Sequence, residues 1–295
     1  MPSIEFQEIV KLIRENPTQK GLSIAERREA EDGMAAQFPL PPTIYYEEIT
    51  AVSIPALLLA AKEVDDGRVI LYLHGGGYCL GSILTHRDFA QRLSTACGAR
   101  VLLIDYRRAP EHPFPAALED ALTAYRWLLA EGVDPSRMSI IGDSAGGGLA
   151  VATLLALRDA GERLPETAVL LSPWLDLALT GESLVTKEAE DIVLTTAQLQ
   201  EFSELYVGNS DAQNPLISPL FADLVGLPPI LIQVGSAEIL LDDAIRFAPK
   251  AKAANIEVVL DIWGEMIHVW QGFAGIMPEA KQAIMKIGAF VREKT

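Results

Sequence analysis

Residues 142–146 have the sequence GDSAG and lie between two segments of different character. The preceding run, residues 138–141, has the sequence MSII and matches a short strand, whereas residues 147–152, GGLAVA, match a helix of small residues. A G-x-S-x-G motif between a strand and a helix predicts a sharp turn that lifts the Ser144 hydroxyl above a sheet. Glycine on both sides lets the backbone pass without a Cβ clash, and the first amides of the helix would face negative charge formed beside Ser144.

Strand-like and helix-length segments alternate along most of the chain. Two early strand-like runs are followed by further ones at residues 68–73, 101–104, 138–141, 168–171, 230–234 and 258–262. This alternation predicts an α/β fold with a mostly parallel central sheet and helices on both faces. Reactive side chains in such sheets gather at the carboxyl ends of the strands. The chain has 295 residues, 49% of them hydrophobic, which is enough for one large domain over residues 1–295.

A second motif, HGGG at residues 74–77, directly follows the strand-like run that ends at Leu73. Consecutive glycines let the backbone approach a ligand closely and turn its amides inward. An HGGG-type loop supplies part of the oxyanion hole in lipases and esterases. We therefore predict that the amides of Gly76, Gly77 and Ala145 point at the oxyanion that forms on an attacked carbonyl. A flexible glycine turn is the alternative interpretation.

His268 is the predicted base because of its place in the chain. The histidines are His74, His86, His112 and His268. In hydrolases with a G-x-S-x-G serine on an α/β sheet, the triad runs Ser, acid, His along the sequence. Only His268 follows Ser144, in a loop-like stretch after the last predicted strand. We expect His74 to fix the glycine loop through hydrogen bonds, His112 to stabilise a buried turn, and His86 to lie at the surface or the pocket rim.

The predicted acid lies in the loop after the strand at residues 230–234. Glu238 is the carboxylate nearest the strand end, and its apolar neighbours could bury it beside His268. Asp242 is the alternative acid. Asp242 and Asp243 also match the first turn of a helix, where acidic side chains are favoured. The pattern therefore favours Glu238 and leaves Asp242 open.

Four stretches of this chain together resemble one family, the bacterial hormone-sensitive-lipase-like esterases. They are HGGG at residues 74–77, YRRAPEHPFP at 106–115, GDSAGG at 142–147 and MIH at 266–268. The resemblance extends over nearly the whole chain, and the order of the motifs makes it specific. It implies an α/β-hydrolase fold, a carboxylesterase acting on short acyl esters of small molecules, and no metal or organic cofactor.

The family's catalytic serine and histidine correspond to Ser144 and His268. Its usual acid, an aspartate followed by proline, corresponds to Glu238-Ile239, which departs from the family pattern. A glutamate can nonetheless serve as the acid in this type of triad. Gly148 stands where the family often has asparagine, and we expect this difference to leave activity intact.

The resemblance also implies a helical cap, formed by about residues 1–42 and about residues 177–218. In the first region, an apolar stripe of helical period predicts one helix, and a capping box beginning at Ser23 predicts another. The second region lies in a stretch of nearly sixty residues between two predicted strands, far longer than one crossover helix requires. A capping box beginning at Thr195 predicts a helix there. Its apolar face could cover an acyl pocket with Leu199, Phe202, Leu205 and Tyr206.

Composition bears on partners and location. Lys and Arg number 24 against 40 acidic residues, a formal net charge of −16, which argues against nucleic acid and anionic membrane surfaces as partners. Cys79 and Cys97 are too few for a disulfide framework, and the N-terminal residues lack a signal-peptide pattern. No apolar run approaches the roughly 20 residues of a membrane span. We expect a cytoplasmic protein, with an edge strand or the C-terminal helix as the candidate surface for a homodimer.

These residues predict a two-step acyl transfer through Ser144, His268 and Glu238, with an acyl-enzyme intermediate. Two alternatives stay open on the sequence alone. An amidase or peptidase of the same fold would use the same residues, because an acylated serine does not reveal the leaving group. A non-catalytic small-molecule receptor of this fold would not need Ser, acid and His together, and their joint presence argues against that interpretation.

Overall fold

A computed structural model describes residues 2–16 and 21–295. The strands are β1 (Ile44–Ala51), β2 (Ile54–Ala61), β3 (Asp65–Leu73), β4 (Ala99–Ile104), β5 (Met138–Asp143), β6 (Thr167–Leu171), β7 (Ile230–Gly235) and β8 (Val258–Trp263). The helices are α1 (Ile4–Glu15), α2 (Ile24–Ala35), α3 (Ile83–Cys97), α4 (Ala116–Ala130), α5 (Ala145–Asp159), α6 (Ser183–Thr186), α7 (Thr196–Val207), α8 (Leu241–Ala253) and α9 (Pro278–Lys294). Among the described residues, no helix combines the length and the apolar composition that a membrane span requires.

The eight strands of the described chain form one sheet, in the order β1-β2-β4-β3-β5-β6-β7-β8. Antiparallel pairing joins β1 to β2 and β2 to β4, whereas every other neighbouring pair is parallel. The predicted mostly parallel sheet is therefore confirmed. Strands β5 and β6 are buried along their whole length, and most of their residues are apolar, as both faces of a covered parallel sheet require.

Side chains of the sheet alternate between two hydrophobic cores. In β3, Val69, Leu71 and Leu73 belong to one core, and Ile70 and Tyr72 belong to the other. Helices α4, α5 and α8 cover the first core, and α3 and α9 cover the second. The two-residue period of a strand supplies apolar side chains to both faces. The prediction of helices on both faces is confirmed.

The first N-terminal helix contacts the loop that carries His268. Ser3 caps α1 by accepting a hydrogen bond from the Phe6 amide. Phe6 and Ile9, on the predicted apolar stripe, are buried in a small cluster with Ile267. The amphipathic pattern of α1 therefore serves to cover a loop of the predicted site.

Helix α2 is held by polar contacts in addition to the apolar packing of Ile24 on the first core. It begins with the predicted capping box at Ser23 and contains no buried residue. Arg28 donates hydrogen bonds to the carbonyl oxygens of Cys79 (2.7 Å) and Ala109 (2.6 Å). These bonds join α2 to the turn that follows the HGGG motif and to the loop between β4 and α4.

The β6–β7 segment, residues 172–229, is partly helical. It contains α6, α7 and a 3₁₀ turn at Pro219–Phe221. The predicted capping box at Thr195 is present at the start of α7. The Phe202 ring of α7 lies against Gly77, because a Cβ built on Gly77 would collide with that ring. The β6–β7 segment thus reaches the HGGG loop, which is the contact that a cap over the site requires.

Candidate active site

Ser144 occupies the turn between β5 and α5. Its backbone has φ 52° and ψ −122°, outside the ordinary helix and strand regions. A Cβ on Gly142 would collide with the carbonyl of Gly146, and a Cβ on Gly146 would collide with the carbonyl of Leu73. The Ser144 amide donates to the Leu171 carbonyl (2.8 Å), which ties the turn to β6. Only glycine therefore fits the two flanking positions of the motif.

His268, Glu238 and Ser144 form one continuous hydrogen-bonded line. His268 Nε2 lies 2.9 Å from Ser144 Oγ, and His268 Nδ1 lies 2.8 Å from Glu238 Oε2. Ser144 and His268 are each 7% exposed, and Glu238 is fully buried. The alternative acid, Asp242, instead accepts a hydrogen bond from the Ser183 amide (2.8 Å) at the start of α6. The structure brings together the three residues that the sequence favours, and it directs Asp242 to a different partner.

Glu238 is held by more than its contact with His268. Its Oε1 accepts hydrogen bonds from Ser172 Oγ (2.8 Å) and from the Gly235 amide (2.5 Å). The Ser172 hydroxyl in turn accepts one from the amide of Val269 (3.1 Å), next to His268. Ser172 therefore links the acid to the histidine loop, a contact that the sequence pattern does not predict. Its position directly after β6 is the one available signal, because reactive groups gather at strand ends.

The pKa of His268 is set by opposing effects. Burial lowers this pKa, but the hydrogen bond to Glu238 and the charges of Glu238, Asp191 and Asp143 raise it, and the net pKa lies above the ordinary 6.5. A more basic imidazole is a better acceptor for the Ser144 proton. Because only the neutral ring can accept that proton, activity that depends on it should fall as pH decreases through the raised pKa.

The backbone of the HGGG loop changes direction at two glycines with positive φ. Gly76 has φ 110° and Gly77 has φ 61°, values that residues with a side chain rarely adopt. Within the described residues, no protein acceptor takes the amide hydrogens of Gly76, Gly77 or Ala145. Buried backbone amides are almost always paired in folded proteins. These three amides are therefore the candidates for binding an oxyanion.

Asp143, the residue before the serine, joins this turn to the HGGG loop. Its Oδ1 accepts hydrogen bonds from the Tyr72 hydroxyl (2.7 Å) and the Gly75 amide (3.1 Å), and its Oδ2 lies 3.6 Å from His86 Nε2. Burial alone would raise the pKa of Asp143, but His86 and the Tyr72 hydroxyl hold that pKa below its ordinary value. The His86 side chain, expected at the surface or the pocket rim, is partly exposed, and it also lies beside this buried carboxylate.

The other two histidines differ in burial. His74 Nδ1 donates to the Gly75 carbonyl (2.7 Å), which confirms that His74 fixes the glycine loop. Burial lowers the pKa of His74 to about 3, so its ring stays neutral. His112 is exposed, so the expectation that it stabilises a buried turn is wrong.

Across residues 2–16 and 21–295, no group of three His, Cys, Asp or Glu side chains could hold a metal ion.

If the Gly77 amide binds the oxyanion, Gly77→Ala should lower kcat/KM for p-nitrophenyl acetate by about 10- to 100-fold, because the displaced amide would lose much of its effect. The new methyl group would combine a φ of 61° with a collision against the Phe202 ring, so the loop must shift. Steady-state hydrolysis measures the loss. Gly161→Ala is the matched control, since Gly161 also has a positive φ, of 71°, but no atom lies within 4 Å of a Cβ there. Its kcat/KM should equal that of wild type, and equal activity of Gly77→Ala would contradict the prediction.

Known proteins resemble this chain over most of its length. A family model described as alpha/beta hydrolase fold matches residues 70–272. An acetyl-hydrolase of Streptomyces hygroscopicus is 52% identical over 231 residues, which cover 78% of this chain and 77% of that protein. An esterase of Acinetobacter venetianus is 37% identical over 286 residues, which cover 96% of this chain and 94% of that protein.

Similarity to solved structures is as extensive. The crystal structure of an esterase from the bacterial hormone-sensitive lipase family is 47% identical to this chain. The two structures superpose with a TM-score of 0.96, over 100% of this chain and 99% of that one. Identity and superposition at this level show common descent as well as a common fold. The chain therefore belongs to the α/β-hydrolase fold family, among the esterases of the bacterial hormone-sensitive lipase family.

Proposed function

We propose that this protein hydrolyses short acyl esters of small molecules through Ser144, His268 and Glu238. The observation that carries the proposal is the unbroken line of hydrogen bonds from Glu238 through His268 to Ser144 Oγ. All three side chains are buried, so water competes little for these bonds. A nucleophile, a base and an acid that orients the base are what nucleophilic acyl transfer requires.

Acylation begins when Ser144 Oγ attacks the ester carbonyl carbon and His268 Nε2 takes the hydroxyl proton. Glu238 orients the imidazole and stabilises its charged form without accepting the proton. The amides of the HGGG loop and of Ala145 donate to the oxyanion, where the loss of one such donor typically costs about 3 kcal/mol. His268 then gives its proton to the oxygen of the leaving alcohol, and the acyl group stays on Ser144.

Deacylation repeats these steps with water as the nucleophile. His268 takes a proton from a water molecule, whose oxygen attacks the acyl carbon. The same amides stabilise the second oxyanion. His268 then returns a proton to Ser144 Oγ, and the carboxylic acid product leaves. The raised pKa of His268 suits a group that alternates between base and acid near neutral pH.

Aromatic side chains next to the HGGG loop favour a small acyl group. The Phe202 ring lies against Gly77, and the Tyr206 ring stacks on Tyr78 with 3.7 Å between ring centroids. Both Phe202 and Tyr206 belong to α7, so about residues 177–218, together with about residues 1–42, would act as the cap. Close packing of rigid rings limits the length of chain that fits beside the nucleophile. The relative from Streptomyces hygroscopicus, named an acetyl-hydrolase, agrees with a small acyl group.

Hydrolysis of p-nitrophenyl esters, from acetate to palmitate, tests the proposal. The value of kcat/KM should be highest between acetate and butyrate and should fall by at least about tenfold toward palmitate, because a longer chain does not fit beside the aromatic rings. The matching acetanilide should react more slowly than the acetate ester. Faster turnover of the anilide would identify an amidase. Failure to cleave any ester, with tight binding of a small molecule instead, would identify a receptor.

A further inference from the structure

A second buried carboxylate, Asp191, lies beside the Glu238–His268 pair. Asp191 belongs to the β6–β7 segment, in the stretch between α6 and α7, and is only 7% exposed. The acyl-transfer steps described above do not use it. A buried charge is costly unless hydrogen bonds satisfy it, so its partners indicate its role.

The Asp191 carboxylate joins two separate parts of the chain. Its Oδ1 accepts hydrogen bonds from the amides of Val193 and Leu194, each 2.9 Å long, which close a turn within the β6–β7 segment. Its Oδ2 accepts one from the amide of Ile239 (2.9 Å), the residue directly after Glu238. One side chain therefore ties the β6–β7 segment to the loop that carries the acid.

The β6–β7 segment holds the backbone of Ile239 on both sides. Ser183 Oγ donates to the Ile239 carbonyl (2.6 Å) and accepts a hydrogen bond from the Asp242 amide (3.0 Å). Ile239 is fully buried, so water does not replace these partners. A buried amide that loses its acceptor carries the full desolvation penalty. Without Asp191, the backbone next to Glu238 would therefore have to shift toward another acceptor.

The same part of the β6–β7 segment also packs on the histidine loop. Ile192 and Val193 pack against a cluster that contains Met266 and Ile267, the two residues before His268. Side chains of α1 belong to that cluster as well. A displacement of this stretch would reach both the acid loop, through hydrogen bonds, and the histidine loop, through apolar contact.

We propose that Asp191 is a positioning residue, which couples the place of the β6–β7 segment to the alignment of Glu238 and His268. The inference rests on the proposed function, because this alignment matters only if the two residues act on Ser144. Asp191 touches neither the substrate nor the reacting atoms, and it acts through the Ile239 peptide. The segment that limits the acyl pocket thereby also sets the geometry of the groups that transfer the proton.

Asp191 also acts on His268 through its charge. The charged groups that face His268 are Glu238 from the loop after β7, Asp191 from the β6–β7 segment and Asp143 from β5. Burial lowers the pKa of His268, and these carboxylates raise it. Removing the Asp191 charge should lower that pKa and move the acidic limb of the kcat/KM profile to lower pH. A side chain with a purely structural role would leave the limb in place.

A double-mutant cycle on the full chain tests this coupling. Asp191→Ala should lower kcat by about 10- to 100-fold with little change in KM, because the catalytic groups are misaligned while the pocket remains. Ile239→Pro removes the amide hydrogen that Asp191 accepts, so adding Asp191→Ala to it should cost less than about threefold more. Asp191→Asn offers one acceptor oxygen instead of two, so it should keep either the bonds to the Val193 and Leu194 amides or the bond to the Ile239 amide. It should also shift the acidic limb of the kcat/KM profile to lower pH.

Asp223→Ala is the matched control, since exposed Asp223 also accepts a nearby amide, that of Val225 (3.0 Å). It should equal wild type in kcat and in pH profile. Thermal melting by circular dichroism identifies any variant that fails to fold, and Asp191→Asn then decides the question through its pH profile. Additive losses in the cycle, wild-type kcat in Asp191→Ala or an unmoved acidic limb in Asp191→Asn would overturn the coupling.

The rate at which a fluorophosphonate labels Ser144 separates this inference from the proposed function. If wild type is labelled but cleaves no ester, the proposed function fails. The labelling rates of the same variants then still test the coupling, because phosphonylation also needs an aligned His268. If wild type cleaves esters and the Asp191 variants match it in both assays, only the coupling fails.

Discussion

Ser144→Ala should lower kcat for p-nitrophenyl acetate by about 10⁵- to 10⁶-fold. The Ser144 Oγ lies 2.9 Å from His268 Nε2, and without this oxygen the acyl-enzyme cannot form. A small residual acceleration over water should remain, because the amides proposed to bind the oxyanion are unchanged. Steady-state kinetics measure the loss, and mass spectrometry of the protein during turnover should show an acyl group on wild type alone.

Ser139→Ala is the matched control for the loss of a buried hydroxyl. Ser139 lies near the start of β5, the strand that leads into the same turn, and its buried hydroxyl has no partner among the described residues. This variant should keep wild-type kcat and be at least as stable, since it removes an unsatisfied polar group. Wild-type turnover by Ser144→Ala would contradict the assignment of the nucleophile.

Glu238→Gln should lower kcat by about 10³- to 10⁴-fold. Glutamine keeps the size of the side chain but is neutral, so it neither holds the His268 tautomer firmly nor stabilises the charged ring. Because the hydrogen bond and charge of Glu238 raise the pKa of His268 against the effect of burial, their loss should also lower that pKa. The acidic limb of the kcat/KM profile should then move to lower pH while the plateau falls. A pH–rate profile of both proteins measures the two effects together.

Asp242→Asn separates the two acids that the sequence leaves open. Asp242 accepts a hydrogen bond from the Ser183 amide, and an asparagine carbonyl can accept the same bond. Its kcat should therefore stay close to that of wild type. If Asp242→Asn lost activity and Glu238→Gln kept it, Asp242 would be the acid.

Local features of this fold are predictable because the information lies within a few residues. The predicted capping boxes at Ser23 and Thr195 are confirmed. Each depends on hydrogen bonds across one turn of helix. The glycines of the GDSAG turn are equally local, since a Cβ on Gly142 or Gly146 would strike nearby backbone. Strand and helix periods likewise sufficed to predict the sheet and its two helical layers.

The sequence carries no comparable local signal for contacts between residues that are far apart in the chain. Ser172 donates to Glu238 across 66 positions of the chain, and Asp191 accepts from Ile239 across 48. No spacing rule identifies such partners, because the order of strands in the sheet decides which loops meet. The contact between His86 and Asp143 is another such case, since Asp143 lies in β5, while His86 belongs to α3.

The sequence by itself determined the α/β sheet, the family and the chemical groups available for acyl transfer. Periodicity and glycine positions are properties of short stretches, so they survive without knowledge of the fold. The tertiary structure alone decided which carboxylate faces His268. Glu238 lies in the loop after β7, and Asp242 lies at the start of the helix that follows this loop. The neighbouring ends of the parallel strands β6 and β7 place Ser172 and Gly235 beside Glu238. Asp242 instead lies in the first turn of α8 and meets α6, because side-chain direction at a strand end depends on which strands and helices pack beside it.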